Sequence, residues 1–187
     1  VSHFLTGMMD EGAADLDSAA FQKKRDELAF KMSFDASLDY FEGNFQTLSR
    51  NRDRSFALLK LAITSPRFDA EPLERVRQQF LVSAKDDDEN PDKIASRAWM
   101  TAALGNHPYA RDMNGSEATL AAVTAADLAA AHKRIFVRKT LQIAVVGDID
   151  AATLSRLLDE TFGGLPEGAE PALPAMVEPA PGPSLKV

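Results

Sequence analysis

Val1-Ser2-His3-Phe4-Leu5-Thr6-Gly7-Met8-Met9-Asp10-Glu11-Gly12 is a short apolar run closed by a polar turn. Its spacing predicts a buried helix followed by a chain reversal at Asp10-Glu11-Gly12. His3 sits alone on this apolar stretch, and a lone histidine there is by default a half-buried packing residue. His107, in the Pro-rigidified loop Asn106-His107-Pro108-Tyr109, and His132, among alanines and basic residues on a helix, complete the set of three histidines. No two of them stand at the i, i+3 or i, i+4 spacing that would aim both at one metal.

Working outward, Asp17 or Ser18 caps a helix through about Leu28. From Ala29 to Leu48 the apolar residues nearly alternate: Phe30, Met32 and Phe34 share one face, and Tyr40, Phe41 and Phe45 follow a turn at Ser37 to Asp39, so an antiparallel hairpin is expected. Arg52 to Ser65 predicts a helix that stops at Pro66, and Pro72 opens another running toward Asp86-Asp87-Asp88-Glu89. Asn90-Pro91-Asp92 breaks the chain and caps a helix through Leu104, and Thr124 with Asp127 caps one to about Phe136. Leu141 to Val146 is almost wholly apolar, the pattern of a buried strand, and Asp150 to Phe162 is an amphipathic helix. After Gly163-Gly164 the composition shifts to proline, so Leu165 to Ser184 reads as an extended linker.

The bulk numbers exclude several classes of function. The chain has 187 residues, 45% apolar and 26% charged, enough for a real core. Lys and Arg number 21 against 28 Asp and Glu, for a formal charge of −7, and there is no basic stripe to meet nucleic-acid phosphates. No window approaches the roughly 20 apolar residues that cross a bilayer. Position 1 is Val and no signal-peptide pattern follows, so the natural amino terminus is expected upstream. Zero cysteines remove disulfides, thiolate zinc sites and thiol catalysis, and fit a cytosol or a periplasm equally.

The remaining side chains offer no ready active site. Asp86 to Glu89 lacks the alternating ligands and glycine of a calcium loop and reads as a solvated helix end. No serine lies in a G-x-S-x-G turn, and Gly163-Gly164 has no following lysine to make a phosphate loop.

The order of segments nevertheless resembles the pitrilysin/insulinase family of zinc metallopeptidases, which includes mitochondrial processing peptidase. Val1 to Leu5 followed by Met8 to Gly12 resembles its metal helix and the turn after it. Leu73-Glu74-Arg75-Val76-Arg77 is similar to the helix that bears the last zinc ligand. His107-Pro108-Tyr109, Gly115, Leu120, Thr124, Asp127-Leu128, Phe136 and Val145 to Ile149 follow in family order. The resemblance covers residues 1 to about 164. It implies an α/β (α+β) fold, mainly an antiparallel sheet with helices packed on it, LuxS/processing-peptidase-like, with its amino-terminal strands missing. It also implies a domain over 1–164 and a Pro-rich linker over 165–187 toward a second domain.

Active members of the family carry H-x-x-E-H, two zinc-binding histidines around a glutamate that activates water. Here that pattern reads His3-Phe4-Leu5-Thr6-Gly7. By the resemblance, Thr6 stands at the general-base position, where a hydroxyl takes no proton from water near neutrality. Gly7 stands at the second ligand, and Ser83 at the glutamate that is the third. A catalytic zinc needs three protein ligands and an open position, and His3 alone remains. The resemblance therefore implies a catalytically inactive, zinc-less subunit or domain with no catalytic, cofactor-binding or metal residue of its own. It would shape a substrate chamber for a homologous zinc-bearing peptidase chain, with a peptide substrate in the shared space. A purely structural scaffold is the alternative, and a zinc site rebuilt from His3, His107 and Asp10 or Glu11 is a third reading. Pairs of this kind lean toward a bacterial periplasm or cell envelope. Without further strands beside it, Leu141 to Val146 is expected to pair with chain outside residues 1–187 or to present an open edge used in a crystal or dimer contact.

Overall fold

The first helix, α1 (Ser2–Thr6), has its apolar side chains and those of the next turn completely enclosed: Phe4, Leu5, Met8 and Met9 are all 0% exposed. The computed structural model describes residues 1–169, 172 and 174–178. α1 packs on the first strand of the hairpin and on two long helices.

Gly12 makes the reversal that the sequence predicts. Its φ of +116° is open to glycine, and a Cβ there would lie 2.9 Å from the Leu16 carbonyl oxygen. The turn is pinned to the end of α3 (Arg52–Thr64) by the Ala14 N–H donating to the Ser65 carbonyl (2.8 Å) and the Arg67 N–H donating to the Gly12 carbonyl (3.0 Å). α2 (Ser18–Glu27) starts where expected, with the Asp17 carboxylate accepting from the Ala20 N–H.

The hairpin joins β1 (Lys31–Ala36) to β2 (Phe41–Gln46) in antiparallel register, from Lys31 opposite Gln46 to Ala36 opposite Phe41. Alternation puts Met32 and Phe34 of β1 into the core beside Phe30, while β2 is largely exposed. Phe34 meets Phe41 and Phe45 across the ladder, the cross-strand aromatic contact that stabilises such pairs.

The helices predominate. α4 (Ala70–Glu89) and α5 (Pro91–Leu104) are separated by Asn90, whose side chain caps α5. α6 (Glu117–Ala121), a short helix not anticipated above, opens with a Ser116/Thr119 capping box. α7 (Ala125–Ile135) has the Thr124/Asp127 box, and α8 (Ala151–Phe162) is capped by Asp150. The fold is mixed α/β with helices packed around one antiparallel strand pair among the described residues, and no helix there is long and apolar enough to cross a membrane.

Two arginines on α4 tie the loops to it. Arg75 donates to the buried Glu11 carboxylate (2.5 Å), which also accepts from the Ser18 hydroxyl (2.6 Å). Arg77 donates to the carbonyls of Leu120, Ala121 and Val123 at 2.5, 3.1 and 2.8 Å, satisfying acceptors that the end of α6 leaves open. Its guanidinium also lies 5.5 Å from the Phe4 ring centroid.

Leu141 to Val146 corrects an expectation. The sequence reads as a strand covered on both faces, yet the segment follows a 3₁₀ turn at Arg138–Thr140, forms no ladder with the described residues and is exposed throughout. A strand holds only when a neighbour takes its N–H and C=O groups, and none lies beside this one among the described residues. Of the linker, residues 170, 171, 173 and 179–187 lie outside the described residues. At its start Leu165 is buried, and Arg138 and Lys139 donate backbone N–H groups to the Pro166 and Glu167 carbonyls.

Arg75→Ala should lower stability by about 1–3 kcal/mol, because it strips a partner from the buried Glu11 carboxylate. Arg156→Ala should cost under about 1 kcal/mol, because its partners Asp53 and Glu160 are exposed. Urea unfolding of the two variants checks the ranking, and equal losses would contradict it. His132 gives a second expectation: its Nε2 donates to the Ile63 carbonyl (2.9 Å), and burial holds it below the ordinary histidine value despite that bond. Below about pH 6.5 the unfolded chain then takes up protons that the folded one refuses, so stability should fall as the pH drops through that range. His132→Gln should flatten the slope of unfolding free energy against pH.

Candidate functional site

Two of the four positions that the resemblance marks, His3 and Gly7, lie against α4. The His3 ring lies against the Phe80 ring of α4 at 4.5 Å between centroids, tilted by 40°. Burial holds its pKa below the ordinary value, which favours the neutral imidazole. One side of His3 borders a cleft of about 190 Å³ between the hairpin turn, at Ala36 to Leu38, and the loop from Pro108 to Met113.

Thr6 is turned back on its own helix, its hydroxyl donating to the His3 carbonyl at 2.7 Å. Such a bond is the usual fate of a threonine within a helix, and it directs the oxygen to backbone. Gly7 has φ −75° and ψ −10°, helical values open to any residue. Space is what demands glycine: a Cβ would stand 2.9 Å from Val76 Cγ1 and 3.0 Å from Phe80 Cζ. Ser83 is exposed on α4, three residues beyond Phe80 and seven beyond Val76, hence on the same helical face.

A zinc does not fit these residues. One imidazole, a hydroxyl committed to backbone, a position without a side chain and an exposed neutral hydroxyl do not make a three-ligand set. The rebuilt alternative is corrected as well. Asp10 accepts from Arg25 (2.5 Å) and Gln22, while Glu11 is held by Arg75 and Ser18. His107 accepts at Nδ1 from the Tyr109 N–H, and the Tyr109 hydroxyl donates to Asp39. These groups serve separate loops, and among the described residues no three His, Asp or Glu side chains gather as a metal would require.

Phe80 is the residue that sequence reasoning missed. Its signal was present, an aromatic one turn after Val76 and three residues before Ser83 on a helix already matched to the metal-bearing one. Its meaning depends on the distance between α1 and α4, which the pattern does not give.

Residues 122–186 match the family model described as the peptidase M16 inactive domain. A Helicobacter pylori protein called non-peptidase homolog YmxG is 22% identical over 161 residues, covering 86% of this chain and 37% of its own length. The crystal structure of a peptidase M16 inactive domain from Pseudomonas fluorescens superposes with a TM-score of 0.85 at 28% identity, over 95% of this chain and 43% of that one. The periplasmic protease PqqL of Escherichia coli shares the fold, with a TM-score of 0.76 at 18% identity over 96% of this chain and 20% of its own. The chain thus spans less than half the length of each of these relatives. With α1, α4 and the matched region after Ala121 in one order and one fold, the chain is similar to peptidase M16 inactive domains in fold and, over residues 122–186, in sequence.

Proposed function

We propose that the chain is a non-catalytic subunit or domain of an M16 peptidase assembly, which shapes a substrate chamber for a homologous chain that carries the zinc motif. The observation that carries this reading is the state of the three replaced positions. Thr6 bonds its own helix, a Cβ on Gly7 would force Val76 and Phe80 to shift, and Ser83 offers a neutral hydroxyl where a zinc site needs a carboxylate. The likeness to an M16 inactive domain and to a non-peptidase homologue supports it.

In this reading His3, Thr6, Gly7 and Ser83 are a degenerate zinc site, residues 1–164 are the folded unit, and the proline-rich residues 165–187 lead toward a second domain. The zinc and the water-activating glutamate belong to the partner, and the peptide lies in the space that the two chains enclose. Hydrolysis then depends on the partner's chemistry, and this chain contributes walls and orientation.

Mixing the protein with a homologous chain bearing H-x-x-E-H and following a quenched peptide is the test. The protein alone should release no fluorescence above background and should hold substoichiometric zinc after dialysis. The mixture should exceed the rate of the zinc-bearing chain alone. Chelator-sensitive hydrolysis by this protein alone, or one tightly held zinc per chain, would overturn the reading. Failure to raise the partner's rate despite complex formation would favour the scaffold alternative.

A further inference from the structure

We propose that Gly7 and Phe80 are an exchanged pair, in which the Phe80 ring fills the space of the side chain that Gly7 lacks and closes the site to metal even where the ligands are restored. The proposal rests on reading His3, Thr6, Gly7 and Ser83 as the degenerate zinc positions, and it adds a residue to them. It also says why the replaced ligands are not simply missing atoms around a vacant hole.

The geometry is specific. A zinc held by imidazole sits about 2 Å from each ligating nitrogen and a similar distance from a carboxylate oxygen. Side chains at positions 3, 7 and 83 must therefore converge on one point between α1 and α4. The Phe80 ring lies in that region: it is 4.5 Å from the His3 ring between centroids, its Cζ would be 3.0 Å from a Cβ on Gly7, and its helix brings Ser83 round one turn later. It also meets Phe4 edge-on at 5.4 Å, so it is anchored from the core side. Val76 closes the remaining side at 2.9 Å from the same Cβ position, and it is 2% exposed.

Neither neighbour yields easily. Val76 is β-branched, buried and on a helix, where one rotamer dominates. Phe80 can leave the Gly7 contact only by giving up its packing on His3 and Phe4 or by moving the helix axes apart. Gly7 is not needed for its backbone, which is ordinary right-handed helix. Its place in the sequence is accounted for by the ring and the valine opposite it. An imidazole at position 7 would meet both at its first carbon, before any nitrogen reached a metal.

Two sets of variants test this in the full chain. In the first, Gly7→Ala, Phe80→Ala and the double variant are compared by thermal unfolding. Gly7→Ala alone should lower the melting temperature, and the loss should shrink clearly in the Phe80→Ala background, leaving the part due to Val76. In the second, zinc chloride is titrated calorimetrically into the triple variant Thr6→Glu, Gly7→His, Ser83→Glu and into the same variant carrying Phe80→Ala, each checked for folding by circular dichroism. The variant without the ring should bind zinc at least about tenfold more tightly than the one that keeps it. Measurable zinc binding of equal affinity with and without Phe80, or strictly additive melting shifts for Gly7→Ala and Phe80→Ala, would overturn the exchange. Coupled melting shifts with no zinc bound by either ligand variant would uphold the exchange and refute the assignment of Thr6 and Ser83 to the zinc site. The two readings therefore fail separately.

Discussion

The close seating of α1 on α4 is the constraint on which the rest of the structure depends. A helix of five residues has no stability of its own, since nucleation is unfavourable and short helices are marginal in water. Ser2–Thr6 persists because Phe4, Leu5, Met8 and Met9 are wholly enclosed, each removing enough apolar surface from water to contribute about 1.5–3 kcal/mol. Enclosure on that scale requires a neighbour at short range along the whole segment. Gly7 permits it on the α4 side, and the alternation of β1 permits it on the other, where Met32 and Phe34 point inward and Lys31, Ser33 and Asp35 outward.

With α1 fixed, α4 becomes the spine for the loops. Arg75 reaches the turn after α1 through Glu11, and Arg77, two residues on, reaches the carbonyls after α6 while its charge faces the Phe4 ring. A carboxylate as buried as Glu11 is costly without its donors, so the pair specifies where the turn lies more than it adds net stability. The buried side of α4, at Val76 and Ala84, and its half-buried Phe80 face the core. Its acidic end at Asp86 to Glu89 is the solvated helix terminus that the charge run suggests, with Asp88 paired to Arg97 of α5.

Much of this was legible beforehand, for reasons that differ by element. Caps are local chemistry, so Asp17, Asn90 and the Thr124/Asp127 pair placed three helix starts without any knowledge of tertiary structure. The hairpin was legible because period-two alternation admits one reading when one face is buried. Leu141 to Val146 was misread for a complementary reason: an apolar run reports that a segment wants cover and not whether cover is supplied. The candidate site divides in the same way. The identities at positions 3, 6 and 7 are sequence facts, and their chemical poverty followed at once. That Thr6 is tied to its own backbone, that Glu11 is spoken for by Arg75, and that Phe80 fills the gap beside Gly7 all depend on distances between helices remote in sequence.

The same distances bear on what losing a metal site does to a protein. Three side chains converging on a zinc hold two helices at a separation set by bond lengths near 2 Å; without the ion, charged ligands left facing one another would repel and be poorly solvated. Substituting only the ligands would leave a hole or an unpaired polar group, each a recognised source of instability. In this chain the two helices meet through glycine on one and valine and phenylalanine on the other. That contact holds the two helices where the Glu11, Arg75 and Arg77 connections reach their partners. What positions the loops is therefore the packing of α1 on α4, from which Arg75 and Arg77 reach their partners.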